Sequence, residues 1–262
     1  MSEFDVFHEC GEELERRIRL RTYPLALKLL EREGDVPEGA ERPLRDLGHH
    51  IDLCQGYALS RREGKTMAMF KEDMWCFEPV AGYGWEEAPR YFLEGHNRVP
   101  EDVKDLAAGK NYASDFPRLE VGKYRGVVSA PLTTANFVPD LVMIYCDSAQ
   151  LSLLLLGREY QDGHDLACHL SSHAACVYSV VPVIQRGQYQ VAIPCRGDRY
   201  TALAADDEIV FSLPKEKLEN LLEGLRHVEK YGSMLPRNPR MRIEPELKDS
   251  YAKIARMMGM DV

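Results

Sequence analysis

Blocks of apolar and polar positions along the chain predict a mixture of strands and helices. Short apolar runs bounded by polar turns predict strands over 23–30, 65–70, 124–132, 137–146, 189–195, 200–204 and 208–213. Ala205-Asp206-Asp207 separates the last two runs, so these predict a hairpin.

Apolar residues that recur at three- and four-residue spacing predict the helices. The segments are 3–19, 51–62, 86–94, 101–109 and 246–258, with two further helices that start near Asp147 and at Pro214. Segment 164–184 is expected to begin as a helix and to become extended near Pro182. Gly224 lies in the interior of the predicted helix that starts at Pro214. In a helix interior, glycine lowers helix stability by about 1 kcal/mol relative to alanine.

The order of these elements predicts the fold class. Strands and helices do not alternate regularly and no repeat is present. We therefore expect an α+β (mixed α/β) fold, with a mixed, largely antiparallel sheet and helices packed on its faces. Residues 1–230 are expected to form a single domain. The charged, proline-containing segment 231–262 is expected to form a C-terminal arm and a short helix packed on that domain.

Charge and composition narrow the function classes. The 262 residues carry a net charge of −9, which argues against a broad nucleic-acid or anionic-membrane surface. The longest apolar run, 151–156, is far shorter than the roughly 20 residues of a membrane helix. The acidic N-terminal segment does not resemble a secretory signal, so we expect a cytoplasmic protein. The apolar strands and helix stripes leave room for a homodimer.

Seven cysteines are an odd number for a disulfide framework, so each is a buried apolar side chain, a metal or cluster ligand, or a reactive thiol. One local pattern suggests a metal: on a helix, His169, His173 and Cys176 would share a face, and three such ligands suit zinc with one open position. The alternative is that the histidines hydrogen-bond across an interface. No CxxC, P-loop, GxSxG or GxGxxG motif is present.

Seven segments, taken in their order along the chain, together resemble a known family. They are LRTYPLALKLL (20–30), LCQGYALSRREGKT (53–66), MWC (74–76), SAPLTTANFVPDLVMIY (129–145), AACVYSV (174–180), VAIPCRGDRY (191–200) and DEIVFSLPKEKLENLLEGL (207–225). Their order and spacing resemble the domain of unknown function 169 family of bacteria and archaea. The resemblance implies a fold and a cysteine set, but no firmly assigned activity.

The cysteine set implied by the resemblance has four members. They are Cys54 before a glutamine, Cys76 in MWC, Cys176 in the middle helix and Cys195 in the CRGDR turn. The other three cysteines, Cys10, Cys146 and Cys168, do not match the family pattern, and neither do His169 and His173. Trp75 stands where the family commonly has a histidine.

Four thiolates can hold a 4Fe-4S cluster or a structural zinc ion. The gaps of 21 residues between Cys54 and Cys76 and of 18 between Cys176 and Cys195 are unlike the close pairs of zinc sites. CQG and CRG each place a glycine two residues after the cysteine, where backbone N–H groups can approach a cluster sulfur. We expect the cluster; zinc and four ordinary buried thiols remain the alternatives.

Basic residues suggest what the cluster would act on. Arg196 and Arg199 closely follow Cys195 in sequence, and Arg21 and Lys28 are candidates for the same site. Guanidinium groups bind carboxylate or phosphate in two places at once. The expected function is a redox or cluster-dependent enzymatic role, with a small anionic metabolite or a redox partner. The alternatives are a zinc-binding enzyme or zinc-stabilised domain, a metal-free binding module, and plain surface charge for these basic residues.

Overall fold

One six-stranded sheet organises the computed structural model, which describes residues 4–231 and 247–260. The strands are β1 (Leu25–Leu30), β2 (Met67–Phe70), β3 (Gly126–Pro131), β4 (Leu141–Cys146), β5 (Gln190–Ala192) and β6 (Ile209–Pro214). They follow the order β2-β3-β1-β4-β6-β5, and all five neighbouring pairs are antiparallel. The predicted α+β fold is confirmed.

Eleven α-helices lie within the described residues. They are α1 (Asp5–Leu14), α2 (Leu53–Glu63), α3 (Glu78–Gly82), α4 (Arg90–Leu93), α5 (Leu106–Asp115), α6 (Ser148–Glu159), α7 (Ala175–Tyr178), α8 (Val181–Arg186), α9 (Arg196–Thr201), α10 (Leu218–Lys230) and α11 (Asp249–Met257). The predicted cap Asp147 is confirmed, because its side chain accepts a hydrogen bond from the N–H of Gln150 at the start of α6. None of these described helices is long and apolar enough to cross a membrane.

The face of the sheet covered by α1, α6 and α10 is called the helical face. Its core includes Ala26 and Val142 from the sheet and Leu154 and Leu221 from the helices, all fully buried. Helices α6 and α10 meet so closely that a Cβ on Gly224 would stand 1.9 Å from the Gly157 carbonyl oxygen. The glycine that is unfavourable for an isolated helix is therefore required by this crossing.

The opposite face is called the cavity face. It carries Leu27 and Leu29 of β1 and is covered by α2, by the short helices α3–α5 and by α7–α9. Gly56 lets α2 approach β2, since a Cβ there would lie 3.1 Å from the Met69 sulfur. Apart from α2 and α5, the cover of this face consists of short helices and connecting loops.

Two sequence predictions are wrong. Residues 200–204 do not form a strand of a hairpin with β6, because β4 and β5 already occupy both edges of β6. Segment 164–184 does not begin as a helix that becomes extended near Pro182. Helix α7 begins only at Ala175, after Ala174 with its positive φ of 48°, and Pro182 lies inside α8. His169, His173 and Cys176 therefore do not share a helix face, so the local pattern that suggested a zinc site is not formed.

The predicted C-terminal arm is only partly visible. Residues 232–246 of it lie outside the described residues, together with 1–3 and 261–262. The predicted terminal helix corresponds to α11, which buries Ala252 and Ala255.

Candidate functional site

A cavity of about 260 Å³ opens on the cavity face, and all four cysteines of the predicted set line it. Each comes from a different element: Cys54 is the second residue of α2, Cys76 follows β2, Cys176 lies in α7 and Cys195 immediately precedes α9. Residues up to 141 positions apart in sequence, 54 and 195, are thus brought to one site. Cys54 and Cys176 are buried, whereas Cys76 and Cys195 are partly exposed.

The four thiols are electrostatically distinct. Hydrogen bonding with Cys176 and Cys195 raises the pKa of Cys54 well above its usual range, and burial adds to the effect. The Cys195 pKa is lowered to about 5, first by the hydrogen bond with Cys54 and then, against the effect of burial, by the backbone N–H groups of Asp198, Ala175 and Gly197. Cys195 is therefore the cysteine of the site whose thiolate form is stabilised by its surroundings.

Cys76 closes the other side of the cavity. Burial and the neighbouring Cys176 raise its pKa, and the backbone N–H of Leu53 opposes that rise. Trp75 lies at the mouth with 61% of its surface exposed. Within the described ranges, no three His, Cys, Asp or Glu side chains form a group that could hold one metal ion.

Ionisable side chains line the rest of the cavity, and sequence reasoning did not find them. Arg98 donates from Nη1 to Asp102 at 2.9 Å and from Nη2 to Glu78 at 3.4 Å and to the Tyr112 hydroxyl at 2.9 Å. Burial raises the pKa of Glu78. The spacing of Arg98 and Asp102 is that of a helical ion pair, but the surrounding residues showed no periodicity that would direct attention to it.

Two further residues that line the cavity, Asp52 and His173, lie close in sequence to Cys54 and Cys176. Asp52 also lines the cavity; it caps α2, accepts a hydrogen bond from the Thr201 hydroxyl, and has a pKa raised by burial. The His173 ring packs edge-on against Tyr112 at 5.5 Å, and burial lowers the His173 pKa, which favours the neutral imidazole. His173 is thus at the cavity while His169 is not among its lining residues.

Of the four basic residues predicted to bind an anion here, the lining includes only Arg196. Arg199 turns away and donates to the Ala205 carbonyl at 2.6 Å. Arg21 forms ion pairs with Asp147 and Asp207. Lys28 lies between Leu27 and Leu29 on β1, and both leucines point to the cavity face. Since successive side chains of a strand alternate, the Lys28 side chain points to the helical face. The four residues do not form one site.

Buried polar groups support the cysteines from behind. The Tyr83 hydroxyl donates to the Cys176 carbonyl at 2.8 Å and lies 2.8 Å from the Tyr57 hydroxyl. All of these groups are buried, so the backbone of α7 is held by a hydrogen-bond chain that water cannot replace at equal strength.

A second buried network reaches the turn that carries Cys195. Arg61 and Glu208, 0% and 3% exposed at their side chains, form an ion pair at 3.0 Å. The Arg61 guanidinium stacks 4.0 Å from the centre of the Tyr145 ring, and the Tyr145 hydroxyl donates to Asp198 at 3.0 Å. Burial, followed by the charge of Cys195, raises the Asp198 pKa to about 7.

The other three cysteines do not line the cavity. Cys10 and Cys146 belong to the core of the helical face. The Cys168 sulfur accepts a hydrogen bond from the backbone N–H of Val191 at 3.2 Å. The structure therefore separates the cysteines into the same two groups as the family resemblance.

Comparison with known proteins extends over most of the chain. Residues 13–224 match the model of the DUF169 family, which is described as "Uncharacterised ArCR". A protein of Methanocaldococcus jannaschii, described as uncharacterized, is 25% identical over 206 residues, which cover 78% of this chain and 86% of the relative. No solved structure matches the chain.

Proposed function

Because the chain belongs to the uncharacterised DUF169 family, its function must be inferred from its own residues, and we propose that it is a cytoplasmic iron–sulfur protein. Cys54, Cys76, Cys176 and Cys195 bind a 4Fe-4S cluster in the cavity that they line. The observation that carries this proposal is the convergence of four thiols from four separate elements on one cavity.

The hydrogen bonds to the sulfurs support a cluster. Iron binds thiolate rather than thiol, and backbone N–H groups stabilise the negative charge and tune the reduction potential. Cys195 receives three such groups, and Cys76 interacts with a fourth at Leu53. The donor set and its surroundings therefore fit the group.

The spacing of the cysteines along the chain favours a cluster over zinc, since the four lie in separate elements with no close pair among them. A zinc ion would require all four sulfurs within about 2.3 Å of a single point. Because Cys54 hydrogen-bonds with Cys176 and Cys195 in this structure, the metal content of the purified protein decides between the two.

The remaining lining residues favour a small substrate beside the cluster. With all four irons held by cysteine, the cluster would supply electron transfer. Arg98 and Arg196 can orient an anionic group of a metabolite. Glu78, with its raised pKa, can hold a proton close to that group. Since carboxylates line the same wall, the metabolite presents polar or cationic groups as well as its anion.

Anaerobic purification tests the proposal. We expect a brown protein with about four iron atoms per chain and a broad visible absorption. Cys54→Ser and Cys195→Ser should each lose most of the iron and the colour. Cys168→Ser is the matched control and should keep both, because Cys168 does not line the cavity. An iron-free, colourless anaerobic preparation would falsify the proposal, and stoichiometric zinc in its place would favour the zinc alternative.

A further inference from the structure

A second cavity, of about 380 Å³, lies at the opposite end of α2 from Cys54. Arg61 and Arg62 from the last turn of α2 line it, together with Arg21, Thr22 and Glu15 from the segment that leads into β1. Arg61 lies seven positions after Cys54, which corresponds to about 10 Å along the helix axis. The cysteine and arginine cavities are thus distinct and share one helix.

Three of the residues that line the arginine cavity have a buried polar atom without a hydrogen-bond partner among the described residues. These atoms are Arg61 Nε, Thr22 Oγ1 and Glu15 Oε1. Buried polar groups are almost always hydrogen-bonded, so a ligand or water molecules must satisfy them. The Arg61 Nε–H is a donor, the Thr22 hydroxyl can donate or accept, and the Glu15 oxygen accepts when the carboxyl is ionised, although burial raises the Glu15 pKa. A partner that carries acceptor oxygens would satisfy the Arg61 and Thr22 donors.

The guanidinium groups are already fixed in place. Arg21 is held by Asp147 and Asp207, and Arg61 is held by Glu208. Arg62 donates from Nη2 to the Leu203 carbonyl at 2.6 Å. Each guanidinium carries five N–H donors, so these contacts orient the group and leave further donors. Pre-ordered arginines lose little side-chain entropy when a ligand binds.

We propose that the arginine cavity binds a small oxyanion, namely a phosphate group that is either free or carried by a small metabolite. Arginine forks match the geometry of phosphate oxygens, and the unpartnered donors supply further hydrogen bonds. The volume of the cavity exceeds what a bare phosphate fills and lies in the range of small-molecule sites. This site uses none of the four cysteines and does not depend on the cluster.

Titration calorimetry with inorganic phosphate, against chloride at equal ionic strength, tests the site. We expect saturable binding of one phosphate per chain. The double variant Arg21→Gln/Arg62→Gln should bind at least tenfold more weakly, and Thr22→Val several-fold more weakly. Arg32→Gln is the matched control, because it removes an exposed arginine paired with Asp35 outside this cavity and should leave binding unchanged.

Thermal unfolding without phosphate checks that each variant is folded, and Arg61 is left intact because its ion pair is buried. A parallel titration with glycerol phosphate separates the two sources: tighter binding than inorganic phosphate indicates a carried phosphate group, and equal binding indicates the free ion. The proposal is overturned if neither compound binds saturably, in which case the cavity holds water. It is also overturned if the double variant binds as the parent protein does.

Discussion

The two faces of the sheet are stabilised by different kinds of interaction. The helical face is covered by long amphipathic helices, and its crossing at Gly157 and Gly224 allows backbone-to-backbone contact. The cavity face is covered by short helices and loops, and it buries charge: Arg61, Glu208 and Asp198 are all less than 4% exposed. Apolar packing needs no particular partner, whereas a buried charge is tolerated only beside one. Stability is thus generic on one face and depends on specific pairs on the other.

Breaking the buried ion pair should have the largest effect. Arg61→Met removes the closest partner of the buried Glu208 carboxylate and leaves it the Ala205 N–H at 2.8 Å and the Arg62 guanidinium at 3.7 Å, so we expect a loss of about 3 kcal/mol in the free energy of unfolding. Urea denaturation measures this loss. In the double variant Arg61→Met/Glu208→Gln the loss should be smaller than in Arg61→Met alone, because no charge is left unpaired. A loss below about 1 kcal/mol for the single variant would show that the pair is not desolvated.

Overpacking the helical face should come second. Gly224→Ala places a methyl group on the Gly157 carbonyl and forces α6 and α10 apart, at a cost of about 1–3 kcal/mol or more. Gly34→Ala is the control, since nothing lies within 4 Å of a Cβ there; its effect should stay within about 0.5 kcal/mol. Equal stabilities of the two variants would contradict the close crossing.

The hydrogen-bond chain behind Cys176 should give a smaller effect. Tyr83→Phe removes the donor to the Cys176 carbonyl and leaves that buried acceptor only the longer hydrogen bond from the Ser179 hydroxyl at 3.4 Å, so we expect a loss of about 1 kcal/mol. Tyr200→Phe, at a tyrosine that is 78% exposed, should change stability little. If both variants unfold at the same urea concentration as the parent, the cavity face does not depend on this chain.

The smallest effect concerns the surface of the helical face. Hydrogen bonds from Arg226 and Arg17 lower the Glu13 pKa from its ordinary 4.5 to about 2. A lowered carboxyl pKa stabilises the fold above pH 4.5, and this contribution disappears as the pH falls towards 2. Glu13→Gln should therefore flatten the loss of stability in that window by less than about 1 kcal/mol, measured by thermal unfolding at several pH values. An unchanged acid profile would be evidence against the ionic contact.

Periodicity predicted the two faces unequally. The apolar stripe of α10 and the strand pattern of β4 are local signals and were located correctly, because burial against a sheet imposes a regular spacing. On the cavity face, 200–204 and 164–184 were assigned wrongly. Ala202 and Ala204 alternate with exposed Leu203 as in a strand, but β6 has no free edge for them. Edge occupancy is a property of the whole sheet, and a local pattern does not contain it.

The sequence by itself determined the fold class, the Asp147 cap of α6 and, through the family resemblance, the four cysteines that are grouped together. Only the tertiary structure decided that these cysteines share a cavity with Arg98 and Glu78, and that Arg21 lies in a different cavity from Arg196. The physical reason is range. Helix and strand periods arise between residues a few positions apart, whereas the partner of a charged or thiol side chain is set by which distant segments the fold brings into contact.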